Sequence, residues 1–179
     1  NRSDTYWAGT GTVTLAASKP NSEFTLNAVP SIVFGTASVS FAGKVTGGGS
    51  LGNGPVNGET VTVSIQTSPL PITKSTTLTG GDGSFSVSFD TATLPAGAYR
   101  VTYAYAGGIN LKPVSVDRNP GLTITPLPVT VTPRTVAKTY GNVDPPLAYD
   151  SSPALAPGDG FTGSLTRAVG EPVGAYAIN

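Results

Sequence analysis

The sequence predicts an all-β chain of tandem two-sheet sandwiches, and three observations carry that expectation. Apolar residues alternate with Thr and Ser at period two, as in Val61-Thr-Val-Ser-Ile65 and Ser84-Phe-Ser-Val-Ser-Phe89. A run of that kind has one dry and one wet face, the pattern of a half-buried antiparallel strand. The chain also carries 23 glycines and 16 prolines. They break every run within about ten residues, and Pro removes the backbone donor a helix interior needs. Finally, turn signals separate the runs. Gly80-Gly-Asp-Gly83 predicts a tight hairpin turn, and residues 47–54 a long Gly-rich loop.

Taken in order, strands are expected at 12–15, 38–45, 60–66, 84–89, 99–105, 122–125 and 129–132. About seven short strands over residues 19–125 make one sandwich of about a hundred residues. Within 99–105, Tyr99, Val101, Tyr103 and Tyr105 share one face and Arg100, Thr102 and Ala104 the other. With Tyr6 and Trp7, Tyr103 and Tyr105 could pave a sugar-binding surface. Val101 on their face assigns them instead to the core.

Leu94-Pro-Ala-Gly-Ala-Tyr99 leads into that strand. A Leu, a Gly and then a Tyr at the start of the penultimate strand fit the tyrosine corner of immunoglobulin-type sandwiches, where the hydroxyl bonds back to the chain. The plainer reading makes Tyr99 a half-buried strand aromatic. Gly-Ala-Tyr recurs at 174–176, so Tyr176 is a second structural corner and the chain holds an internal repeat. Pro126-Leu-Pro128 reads as a linker. The expected organisation is residues 1–18 as an N-terminal strand (a donor strand or the end of a preceding module), 19–126 as an Ig-like β-sandwich, and 127–179 as a partial second module.

Composition bounds the chemistry. Cys, His and Met are absent, which removes disulfides, thiolates, imidazole bases and soft metal ligands. Charged residues are 11% of the chain and balance to zero. Nothing therefore attracts nucleic acid or an anionic membrane by bulk charge. No apolar run approaches the roughly 20 residues of a membrane helix. Catalysis by paired carboxylates is not expected: Asp144 and Asp150 are the nearest two acids in sequence, and sandwiches offer no deep cleft by default. No cofactor is expected. Calcium is the alternative, with Asp82, Asp144, Asp150 and Asp159 in loops, but no Asp-x-Asp run supplies six to eight oxygens. Asp beside Gly or Pro is a turn former. Lys44 and Lys138 raise the idea of a Lys–Asn crosslink, against which Lys138 reads as a solvated strand residue. Asn1-Arg-Ser3 is a glycosylation sequon at a terminus.

Two regions carry a family resemblance. Ile32-Val-Phe-Gly-Thr-Ala-Ser-Val-Ser-Phe-Ala-Gly43, Gly83–Asp90 and Leu94–Gly107 resemble the tandem Ig-like repeats of large bacterial surface and adhesin proteins. Lys138-Thr-Tyr-Gly-Asn-Val-Asp-Pro-Pro-Leu-Ala-Tyr149, Gly158-Asp-Gly-Phe-Thr-Gly-Ser-Leu-Thr-Arg167 and Gly170-Glu-Pro-Val-Gly-Ala-Tyr-Ala-Ile178 resemble the MBG-type module, also Ig-like and found in the same giant proteins. The resemblance implies an extracellular or cell-surface location, a non-enzymatic role, and packing roles for Tyr140 and Gly141.

That module ordinarily finishes with a further hairpin, which is not found before Asn179, whereas Asp4-Thr-Tyr-Trp-Ala-Gly-Thr-Gly-Thr-Val-Thr-Leu15 resembles such a closing strand. The polar opening at Asn1, without a signal peptide, further suggests a processed or excised piece. The expectation is an incomplete last sandwich, completed by a strand from a neighbouring chain or module. Tyr6, Trp7, Val13 and Leu15 would form the strand-donation interface, giving a head-to-tail homo-polymer. A segment of a longer tandem array fits the same features. The alternative function is an adhesin module that binds mucin-type glycans or a host surface protein.

Overall fold

The structure, a computed structural model, describes residues 18–47, 54–155 and 157–179. These residues are all-β, in ten strands without a helix; none forms a helix long and apolar enough to cross a membrane. The expected strand 12–15 and its interface residues Tyr6, Trp7, Val13 and Leu15 lie outside the described residues. The chain divides into two compact units, the first reaching Thr125 and the second covering Pro126–Asn179.

The first unit is a sandwich of two sheets. One sheet orders β1 (Ser22–Leu26), β3 (Ser38–Gly47) and β6 (Ser84–Asp90) as β1-β3-β6. The other contains β2 (Ser31–Val33), β4 (Thr60–Ile65), β5 (Ile72–Thr77), β7 (Gly97–Tyr105) and β8 (Val114–Thr125) in the order β2-β8-β7-β4-β5. The period-two alternation decides which side chains meet between them. Phe41, Val45, Phe85 and Phe89 face Val61, Val63, Ile65, Val101, Tyr103, Tyr105, Leu122 and Ile124, all buried. Tyr103 and Tyr105 therefore belong to the core, as Val101 on their face indicated. Phe41 meets Phe89 edge-on with ring centroids 5.5 Å apart, and Phe24 meets Phe85 at 5.8 Å. Such pairs contribute about 0.5–1.5 kcal/mol each beyond their buried area.

Both seams between the sheets are tied. On one side Lys74 Nζ donates to the Ser88 carbonyl at 2.7 Å and Thr76 Oγ1 to the Ser86 carbonyl at 3.1 Å. Two side chains of β5 thus occupy acceptors on the outer edge of β6. On the other side β2 runs parallel to β8, Ser31 opposite Thr123 and Val33 opposite Thr125. Arg118 Nη1 donates to the Asn27 carbonyl at 2.6 Å, and the Lys112 amide to the Pro20 carbonyl at 3.1 Å.

Glu59 pins one end of the sandwich. It accepts hydrogen bonds from the Val56 and Ile109 amides, each at 3.1 Å, and from the Tyr105 hydroxyl. Burial pushes its carboxyl up, but those three donors and the charge of Lys19 together hold it below its ordinary 4.5. Burial, reinforced by Glu59, raises the Tyr105 hydroxyl, which keeps it a donor.

Several elements differ from expectation. Residues 80–83 do not close a hairpin within one sheet: β5 and β6 lie in different sheets, and the turn makes one bridge, Thr79 to Ser84, before they part. β8 starts at Val114 rather than at 122. Its register against β7 shifts between Tyr99 and Val101, a bulge that absorbs Pro120. β1, β2, β5 and the last strand, at Tyr149–Ser152, were not anticipated. In the second unit β9 (Thr130–Pro133) pairs antiparallel with β10 (Tyr149–Ser152), and Arg167 bridges Ile178. The described residues there form no second packed sheet.

Candidate functional site

None of the described residues of the second unit is buried. Its strands are short and its apolar side chains are exposed or at most half-buried. The β9–β10 pair is extended by the Arg134 amide, which donates to the Ala148 carbonyl at 2.8 Å, and is clamped by Arg134 Nε on both Asp150 oxygens at 3.0 Å. Residues 166–168 pair antiparallel with 177–179: Thr166 and Asn179 exchange amide bonds at 2.9 and 2.7 Å, and the Ala168 amide donates to the Ala177 carbonyl at 2.8 Å. Residues 139–142 make a turn in which the Asn142 amide reaches the Thr139 carbonyl at 3.1 Å and Gly141 takes φ 87°.

These pieces enclose an open cleft of about 1000 Å³. Val136, Leu147, Tyr149, Leu165, Tyr176 and Ile178 supply its apolar lining. Val143 and Val173 are each 90% exposed. Tyr140, expected to pack, is 72% exposed and lines the cleft. A turn with an open-sided strand pair beneath it offers the ring nothing to be buried against.

Charged groups gather along the cleft. Arg167 Nε donates to Asp144 at 2.6 Å, and its Nη2 to Glu171 at 2.7 Å. Lys138 pairs with the same Asp144. The guanidinium also lies 5.0 Å from the centroid of the Tyr176 ring, a cation–π contact. Hydrogen bonds from Lys138 and then Arg167 hold the Asp144 carboxyl below its ordinary 3.8. Both carboxylates are thus spoken for by cations. Lys138 is not a strand residue; it is tied to Asp144 and to the Asn142 carbonyl at 3.1 Å. The sequence reading missed this cluster. Its signal was six charged groups within residues 138–171 of a chain with 11% charge, of which Lys138, Asp144, Arg167 and Glu171 form the cluster.

The other singled-out residues sit apart. Tyr99 Oη donates to the Pro95 carbonyl at 2.7 Å and Tyr176 Oη to the Pro172 carbonyl at 2.6 Å, the same four-residue step backwards. Asp82 is engaged by Lys44 and by the Ser84 hydroxyl at 2.6 Å, and Asp150 by Arg134. Among the described residues no three acids gather as a cation site would require.

No curated protein and no solved structure matches the chain. Residues 129–179 match the family model of the MBG domain (YGX type), and the Tyr140-Gly-Asn142 turn lies inside that match. The second unit is therefore similar to the MBG domain, a repeat module of bacterial surface proteins and not a catalytic family.

Proposed function

We propose that the chain is an extracellular structural repeat protein, the subunit of a head-to-tail filament or stalk assembled by β-strand complementation. One observation carries the reading: the second unit buries none of its described residues and turns its apolar side chains into a cleft of about 1000 Å³. Water against Val136, Leu165 and Ile178 is unfavourable by roughly 25 cal/mol per Å² of apolar surface. An extended strand with alternating apolar residues removes that surface from water and pairs the open strand edges at once. The sandwich of the first unit needs no such strand, because its seams are tied by Lys74, Thr76 and the β2–β8 pair. It serves as the spacer between joints.

In this reading residues 1–18 of a neighbour donate the strand, with Val13 and Leu15 entering the cleft and Tyr6 and Trp7 anchoring beside it. A contact of this kind does not close on itself and propagates as a fibre. Deleting residues 1–18 is expected to leave monomers alone by light scattering, where the full chain gives polymers. Polymers of undiminished size after the deletion would defeat the reading. The second reading, an adhesin module for mucin-type glycans or a host protein, has the exposed Tyr140 ring on the cleft as its observation. Glycan-array binding that survives polymerisation would favour it.

A further inference from the structure

The two units share more than a tripeptide. Pro95-Ala-Gly-Ala-Tyr99 and Pro172-Val-Gly-Ala-Tyr176 place a tyrosine hydroxyl on a proline carbonyl in the same way, at 2.7 and 2.6 Å. Two residues past each tyrosine the chain is paired antiparallel on one edge: Val101 with Ile65 of β4, and Ile178 with Arg167. Residues 166–168 thus hold, in the second unit, the place that β4 holds in the first. In the first unit the opposite edge of β7 is taken by β8, with Leu122 opposite Tyr99, Thr123 opposite Ala98 and Ile124 opposite Gly97. In the second unit the corresponding edge has no backbone partner among the described residues, and Gly174, Ala175, Tyr176 and Ile178 line the cleft.

The first unit is therefore a template for what fills the second. The occupant must run antiparallel to residues 174–178, with an apolar residue opposite Tyr176, a small polar one opposite Ala175 and an apolar one opposite Gly174. Leu122-Thr-Ile124 has that pattern, and so does Val13-Thr-Leu15. Other apolar-Thr-apolar tripeptides, such as Phe24-Thr-Leu26 and Val61-Thr-Val63, are already paired in β1 and β4.

Resting on the strand-completion reading above, we infer that residues 13–15 of a second copy enter the cleft in the register β8 holds against β7. Val13 lies opposite Tyr176, Thr14 opposite Ala175 and Leu15 opposite Gly174. The side chains of Val13 and Leu15 take the positions of Leu122 and Ile124, which are buried in the first unit. Thr14 then lies beside Ala175 on the opposite face of the strand pair from Val13 and Leu15, as Thr123 lies beside the exposed Ala98.

The chain has no cysteine, so a Thr14→Cys/Ala175→Cys double variant of the full chain reports the register directly. Residues directly opposite on antiparallel strands have Cα atoms about 4.5–5.5 Å apart, within reach of a disulfide. Thr10→Cys/Ala175→Cys, four residues away along the strand or roughly 13 Å, is the out-of-register control. Light scattering under reducing conditions first establishes whether each variant polymerises. The expected result is polymers in both, with oxidation giving a ladder of cross-linked chains about tenfold stronger in the first variant than in the control. Polymers without that preference overturn the register and leave strand completion standing. A disulfide closed within a monomer overturns the second copy as donor. Absence of polymers under reduction overturns both readings together.

Discussion

At the scale of the residue, Glu59 is the group with most resting on it. Its carboxylate collects two amides and a tyrosine hydroxyl from three segments of the chain. Its folded pKa lies below the ordinary 4.5, so the sign of the linkage is fixed. The stability it contributes is complete above about pH 4.5 and is lost as the pH falls through the lower folded value. Glu59→Gln keeps an acceptor and removes the charge. The urea midpoint of Glu59→Gln is expected below that of the parent at pH 7, the gap closing as the pH falls below 4.5. A gap independent of pH would show that the charge plays no part. None of this was legible in the sequence. Glu59 stands 46 residues from Tyr105 and 50 from Ile109, and only the pairing of β4 with β7 brings them together.

At the scale of the element, the strands that were legible are those whose inner positions are all apolar. Val61, Val63 and Ile65 in β4 and Phe85, Val87 and Phe89 in β6 announce themselves. β5 did not, and the structure explains why. Of its inward positions, Ile72, Lys74 and Thr76, the last two satisfy carbonyls of β6 instead of filling the core. Only residues 122–125 of β8 were legible, because the charged Asp117 and Arg118 and the donor-less Pro120 break the apolar alternation before them. Arg118 in fact spans to the Leu26 and Asn27 carbonyls, and the bulge accommodates the proline. The turn between β5 and β6 yields a graded test. Gly81 and Gly83 both have positive φ, 71° and 77°, but a Cβ on Gly81 meets open space whereas one on Gly83 would overlap the Val45 carbonyl oxygen. That carbonyl cannot retreat, since the Val45 amide is bonded to Gly83 at 2.9 Å. Gly81→Ala is expected to cost about 1 kcal/mol, the penalty of a left-handed residue. Gly83→Ala is expected to cost upwards of about 2 kcal/mol more, by urea denaturation. Equal costs would mean that the turn relaxes freely from β3.

At the scale of the whole molecule, the two units have opposite relations to their surroundings. Among the described residues the first has sixteen buried hydrophobic side chains of its own and the second has none. A unit whose apolar surface is covered only by association gains stability by mass action. Calorimetry is expected to show one transition at a temperature independent of protein concentration and a second that rises with it. Two transitions fixed across a hundredfold dilution would mean that the second unit needs no partner. The repeated Gly-Ala-Tyr was the part of the site visible in the sequence. The cleft was not, because its walls come from separated stretches between residues 135 and 178, and no period in the sequence records an unfilled space.

The parallel pairing of β2 with β8 has a mechanical consequence. β2 lies near the start of the first unit and β8 at its end, and the two run side by side in the same direction. Tension that draws the beginning of one strand away from the finish of the other acts along the strands. It loads the Thr123–Pro30 and Phe34–Thr125 amide bonds, 3.1 and 2.9 Å long, in shear, all at the same moment. They do not peel one after another. A pull that reaches those two strands is therefore held by both bonds together.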